Sequence, residues 1–220
     1  MSRIFLIGNG ASLNQTPLYL LKNEQTMGVN KIGALYNPTY YVKIDYSAWE
    51  KDEWKNEVTP QVDSGKPCLL WDVFRDGVKN PDAPFGDNIP IGIGDYPNVT
   101  WVTRCEHHGN KNNKDYDGIW HNPFCTAWNS IVLMVQWAEK LGFDQIYLLG
   151  CDGNFTNGID DHFMPYYSEV DLNYTTRNNE CVKRAHEMIS RNVKAKIYNA
   201  TVGGVVENYP RVNLAEVLNG

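Results

Sequence analysis

The sequence predicts an α/β protein of Rossmann-like build, a mostly parallel sheet with helices on both faces. Three observations carry that prediction. Short β-branched and aromatic runs alternate with helical segments along most of the 220 residues. The runs at 4–7 and 146–149 are continuously apolar, as strands covered on both faces must be. The first of them ends in Gly8-Asn9-Gly10-Ala11-Ser12, a glycine turn that lets backbone approach a ligand closely.

After the strand at 4–7, residues 16–22 read as a short helix with Pro17 in its first turn. Residues 26–30 and 40–45 are the second and third strands. Ser47 is an N-cap for a helix to residue 58, with Ala48, Trp49, Trp54 and Val58 at loosely helical spacing. A fourth strand spans 68–71, and another spans 99–103. Between them, residues 75–96 are rich in Gly, Pro, Asp and Asn and read as a long excursion over the site. Residues 109–117 are a polar loop. Residues 127–141 form a helix apolar nearly all round, hence buried against the sheet, with Gly142 ending it. A central strand at 144–150 leads to an amphipathic helix at 178–191, with Cys181, Val182, Ala185, Met188 and Ile189 inward. A strand at 196–199 and a short helix at 213–218 close the chain. Residues 1–220 are one domain, with loop insertions at 72–98 and 106–124.

Composition narrows the function classes. The net charge is −6 and the basic residues are scattered, so the counterion-displacing face that nucleic acid requires is missing. No run of eighteen apolar residues exists to span a membrane. The apolar run at 4–7 is too short for a secretory signal, so the expected compartment is the cytoplasm. Five cysteines without CxxC spacing read as reduced core residues. Seven tryptophans and thirteen tyrosines serve the core and its rim better than a sugar or base platform.

The candidate site is where polar residues gather at the strand ends: Gly8-Asn9-Gly10, Asn30, Asp45, Cys151-Asp152-Gly153 and Asn199 to Thr201. A helix directly after the glycine turn would offer its free N–H groups to a phosphate. Leu13 stands where a dinucleotide fingerprint wants its third glycine, and Asn30 stands where it wants an acid. No Gly-Lys-Ser/Thr occurs there, so a nicotinamide enzyme and a P-loop ATPase are both disfavoured. Asp152 either accepts hydrogen bonds from a ligand hydroxyl or caps the loop around Gly153. Cys105-Glu106-His107-His108 lacks zinc spacing and reads as a solvated loop, so no metal is expected. His121 has no evident partner, and His186 reads as a half-exposed packing residue. His162, in Asp160-Asp161-His162-Phe163-Met164-Pro165-Tyr166-Tyr167, is different. Adjacent acids would raise its pKa and orient it as a general base, and Tyr166 and Tyr167 would donate to a leaving phosphate. The other reading of this segment is a loop ordered by its aromatics.

The run from Ile4 to Leu13 resembles the opening strand and Gly-Asn-Gly-Pro-Ser-Leu loop of the bacterial sialyltransferases of glycosyltransferase family 42. A related group of uncharacterised and 6-hydroxymethylpterin pyrophosphokinase-like proteins shares that loop. Val29-Asn30 matches the family's second-strand asparagine, and Asp45 falls where the family has another near the donor sugar. Ser130 aligns with a donor-binding serine. The run from Leu141 to Asp152 resembles the family's Leu-Gly-Tyr, Ile-Tyr-Leu and Gly-Ile-Asp sequence, and Lys194 to Asn199 resembles the strand after its final helix. The likeness runs from the first strand to about Asn199, with gaps. Where the family's catalytic histidine precedes the last long helix, this chain has Thr175-Thr176-Arg177, and the family's tyrosine position falls near Asn154.

The resemblance implies an inverting, metal-independent glycosyltransferase without a cofactor. Its donor would be a cytidine-monophosphate sugar and its acceptor a glycan hydroxyl. His162, Tyr166 and Tyr167 would be catalytic; Gly8, Asn9, Gly10, Ala11, Ser12, Asn30, Asp45, Ser130, Asp152 and Gly153 would hold the donor. Family members often form tetramers, which leaves a homo-oligomer open here. Two other readings remain. One is a pterin-type diphosphokinase with magnesium on Asp45 and Asp152. The other is a non-catalytic nucleotide or sugar binder.

Overall fold

Successive residues of each strand divide between two apolar cores, as a sheet covered on both faces requires. In β1 (Arg3–Ile7), Ile4 and Leu6 join one core while Phe5 and Ile7 join the other. The computed structural model describes residues 2–44, 53–76, 78–79, 88–89, 92–102, 129–156, 161–164 and 172–220. The chain continues through β2 (Thr26–Val29), β3 (Tyr40–Lys43), α1 (Glu53–Asp63), β4 (Cys68–Trp71), α2 (Val73–Asp76), β5 (Val78–Lys79), β6 (Asn88–Ile89) and β7 (Val99–Val102). It ends with α3 (Ser130–Lys140), β8 (Gln145–Leu149), α4 (Leu172–Asn192), β9 (Lys196–Asn199) and α5 (Leu214–Asn219).

Seven strands form one sheet in the order β7-β4-β3-β2-β1-β8-β9, and every pairing is parallel. The chain builds outward from β1 to β7, then returns to lay β8 and β9 on the other side of β1. Strand order therefore reverses between β1 and β8. In such sheets the point of reversal is where ligands bind, beyond the carboxyl ends of the strands. The Rossmann-like expectation is met.

Helices cover both faces. Apolar residues of α3 and α4 pack in the core of Ile4 and Leu6; Val58 and Val62 of α1 and Leu214 of α5 pack in that of Phe5 and Ile7. Every residue of α3 from Ile131 to Ala138 is buried, as its all-round apolar sequence predicts. Asn129 caps its start, accepting from Ile131 N at 3.0 Å. Gly142, at φ +88°, ends it in a conformation other residues adopt at a cost. No helix among the described residues is long and apolar enough to cross a membrane.

Three local expectations change. The helix expected at 16–22 is a single 3-10 turn, Leu18–Leu21, and a further 3-10 turn, Ala11–Gln15, precedes it. Pro17, lacking an N–H, sits between them, and Thr16 Oγ1 bonds back to Ser12 O at 2.9 Å. The excursion at 75–96 is not wholly irregular: it holds the end of α2, and the antiparallel pair β5–β6. Helix α4 starts at Leu172, ahead of the expected 178, because its polar first turns carry no apolar stripe to read. The expected Ser47 cap and the polar loop at 109–117 lie outside the described residues.

Candidate functional site

Beyond β1 and β8 the two loops stay tied. Gly8 N bonds to Leu149 O and Gly10 N to Gly150 O, both at 2.8 Å. Asp152 then reaches across the switch point. Its Oδ2 accepts Ser12 N at 2.9 Å, and its Oδ1 accepts Ser12 Oγ. A Cβ at Gly10 would stand 2.5 Å from Asp152 Cγ, so that position has room for glycine only. The sequence predicts a turn after β1 that offers helix N–H groups to a phosphate. The structure has a 3-10 turn there, and the Asp152 carboxylate already holds the amide of Ser12. An internal anion fills the seat.

The ends of β1 and β2 are unlike this. The parallel register pairs Ile7 with Gly28, and both strands end within two residues of that pair, so Asn9 and Asn30 both follow carboxyl ends of neighbouring strands. Each has a buried side-chain Oδ1 with no hydrogen-bond partner among the described residues. Buried amide oxygens are normally satisfied, and leaving one unmade costs about 1–3 kcal/mol. Asn30 also stands at φ +52°, the left-handed conformation that asparagine tolerates better than most residues. Its backbone O accepts the hydroxyl of Tyr41 at 3.0 Å, which fixes the residue in that posture.

His162 joins this rim although it lies far along the chain. Its backbone bridges Gly10 in antiparallel fashion, and Phe163 N bonds to Asn9 O at 3.0 Å. Asn14 Nδ2 holds Phe163 O at 3.3 Å, and Phe163 enters the core. The His162 ring meets Phe155 edge-on, with centroids 6.0 Å apart. The expected net rise in its pKa is overturned, although Asp161 and Asp152 do act in that direction. Burial lowers it, outweighing the hydrogen bond to the Asn9 backbone and the charges of Asp161 and Asp152. The ring is therefore neutral at pH 7, the form a base must have.

Other polar groups near the rim are structural. Asn199 is buried, gives Nδ2 to Val206 O at 2.8 Å and accepts Thr201 N at 3.0 Å. Thr201 Oγ1 accepts Cys151 N at 3.1 Å. Burial and the neighbouring Asp152 charge push the Cys151 thiol up to about 12, so it is no thiolate at neutral pH. His186, expected to be half-exposed, is buried, and its Nδ1 lies 3.1 Å from Tyr209 OH. Burial pulls it down to about 4. Sequence reading missed Lys43, fully buried and paired with Glu57 Oε2 at 2.9 Å, while Lys31 stands 3.6 Å from Oε1. Its signal was a lysine inside the apolar run of β3, where burial demands a counter-ion.

The structure thus brings Asn9, Gly10, Asn30, Asp152 and His162 to the carboxyl edge around the switch point. Ala11 and Ser12 open the 3-10 turn there, and Gly8 and Gly153 belong to the two loops. Ser130 is the first residue of α3, which runs antiparallel to the strands and so starts on this edge. Asp45, Tyr166, Tyr167, His121 and Cys105-Glu106-His107-His108 lie outside the described residues. Among the described residues no three His, Cys, Asp or Glu side chains converge as a metal ion would need.

Comparison with solved structures gives a match to the fold. The sialyltransferase CST-II, whose structure is known in complex with a trisaccharide acceptor and CMP, superposes on 96% of this chain and 86% of its own with a TM-score of 0.51. The chain shares its fold with a sialyltransferase. Identity over that match is 15%, so the likeness speaks for the fold alone. The MAf glycosyltransferase of Magnetospirillum magneticum AMB-1 matches 96% of this chain at 13% identity and a TM-score of 0.49. The chain spans 33% of that protein's length. No family model matches the sequence, and no curated protein matches it either.

Proposed function

We propose that this chain is a glycosyltransferase that moves a sugar from a nucleotide-activated donor, a cytidine-monophosphate sugar, to a glycan hydroxyl. One observation carries the reading: Asn9 and Asn30, at the carboxyl ends of neighbouring strands, each keep a buried amide oxygen without a partner among the described residues, and the loop of His162 is tied to Asn9 and Gly10. Two unsatisfied acceptors on one sheet edge suit a ligand that presents hydrogen-bond donors, as the hydroxyls of a ribose or sugar do. The shared fold with CST-II agrees with this reading.

In the proposed step His162 takes the acceptor hydroxyl proton. The oxygen attacks the anomeric carbon, the bond to the phosphate oxygen breaks, and the nucleoside monophosphate leaves with the electron pair. Attack from the face opposite the leaving group inverts the centre. Tyr166 and Tyr167 are assigned to steady the departing phosphate, and Asp45 and Ser130 to the donor. No metal or cofactor enters the step. The magnesium diphosphokinase reading loses ground because both Asp152 oxygens are engaged by Ser12.

Thermal-shift titration with cytidine, uridine, guanosine and adenosine mono- and diphosphates, with and without magnesium, tests the ligand. Stabilisation by cytidine monophosphate, unchanged by EDTA, is expected. Silence toward every nucleotide would remove the donor site. Stabilisation with no transfer to any glycan leaves a binder. In an active preparation, His162→Ala should lower kcat by about 10²–10⁴-fold.

A further inference from the structure

The segment before His162 is fastened more firmly than a surface loop needs. Phe155 is held at both ends of its peptide by Asn179 of α4: its N–H donates to Asn179 Oδ1 at 2.7 Å and its O accepts Asn179 Nδ2 at 2.9 Å. Thr156 N donates to both carboxylate oxygens of Asp161, at 2.9 and 3.0 Å, and Thr156 Oγ1 donates to Oδ1 at 2.8 Å. Asp161 is buried by these bonds, and the next residue is His162. Phe155 is both the anchored residue and the wall of the His162 ring. On the far side Phe163 is tied to Asn9. His162 is thus bracketed on both flanks.

We infer that Asp161 is a positioning residue for His162. Its clip ties Thr156, next to Phe155, to the residue before His162, and so holds the ring against Phe155. Its charge acts on the ring in favour of the protonated form. The inference rests on His162 serving as the base. The carboxylates that the ring feels among the described residues are Asp161, from its own loop, and Asp152, from the turn after β8. Both carboxylates are held by hydrogen bonds, Asp152 by Ser12 and Asp161 by Thr156, and Asp161 is the one adjacent to His162 in the chain. Carboxylate beside imidazole is the usual means of orienting a histidine and steadying its cation.

NMR titration of the His162 imidazole in the ligand-free full chain separates positioning from plain structural support. Asp161→Asn keeps an oxygen for Thr156 and removes the charge, so the His162 midpoint should fall, with proton affinity about threefold weaker or more. Thr156→Val keeps the charge and cuts the hydroxyl bond. The ring then gains water, its midpoint rises toward the usual value, and its Phe155 NOEs weaken. Shifts of opposite sign support the inference. Midpoints that move upward together, or that stay still in both variants, overturn it. If Asp161→Asn does not fold, unchanged NOEs and midpoint in Thr156→Val overturn it alone. Turnover that survives His162→Ala would remove the base assignment and would leave the two midpoints standing as a measurement of Asp161 on the ring.

Discussion

The two halves of one sheet edge differ in how they treat their polar groups. On the β8–β9 side Asp152, Asn199 and Thr201 are bonded within the protein. On the β1–β2 side Asn9 and Asn30 keep buried oxygens without a partner among the described residues. Both halves lie at strand ends and look equally polar in sequence. The first half is finished architecture. The second keeps a shortfall in hydrogen bonding that a ligand would remove, and it is the half to which the proposed function assigns the donor.

That contrast can be broken by stability measurements. Asp152→Ala should have the largest effect, about 3 kcal/mol in urea unfolding, because two charge-assisted bonds vanish and Ser12 N loses its acceptor. A loss under about 1 kcal/mol would place Asp152 with the ligand instead.

The finished half should also answer to pH. His186 binds its proton near pH 4 when folded and near the usual 6.5 when unfolded. The unfolded chain therefore holds more protons between those values, and stability falls as pH drops through that window, by about 3 kcal/mol from this residue. Urea midpoints at pH 7 and 4.5 should separate more in wild type than in His186→Gln. His162 contributes with the same sign just below 6.5.

Asn199→Ala should cost about 2 kcal/mol, since a buried carbonyl and a buried amide each lose their bond. The smallest change sharpens the comparison most. Asn30→Gly removes an unpartnered oxygen and relaxes a left-handed residue, so the ligand-free protein should be unchanged or up to about 1 kcal/mol more stable. The same variant should weaken cytidine monophosphate binding about tenfold, read by calorimetry. A stability loss as large as that of Asn199→Ala would erase the distinction between the halves.

Much of the fold was legible. Strands β1, β4, β8 and β9 and the buried α3 stood in the sequence as apolar runs with the right periods, because core burial imposes those periods locally. Legibility failed where local pattern gives no signal. The polar start of α4 is helical by backbone bonding, and the 16–22 segment is a single 3-10 turn after Pro17. At the site, Asn9, Asn30 and His162 could be named from sequence, but not whether each was satisfied. Asp152 was open to two readings, and it lies 140 positions from the Ser12 it holds.

The sequence by itself determined the strands, the buried helix and the glycine turn, since each depends on neighbours a few residues away. Only the tertiary structure decided which polar groups are already engaged. It closed Ser12 with Asp152, left the buried oxygens of Asn9 and Asn30 without a partner among the described residues, and lowered rather than raised the pKa of His162. Hydrogen-bond satisfaction and desolvation are properties of surroundings, and the surroundings of these residues come from distant parts of the chain.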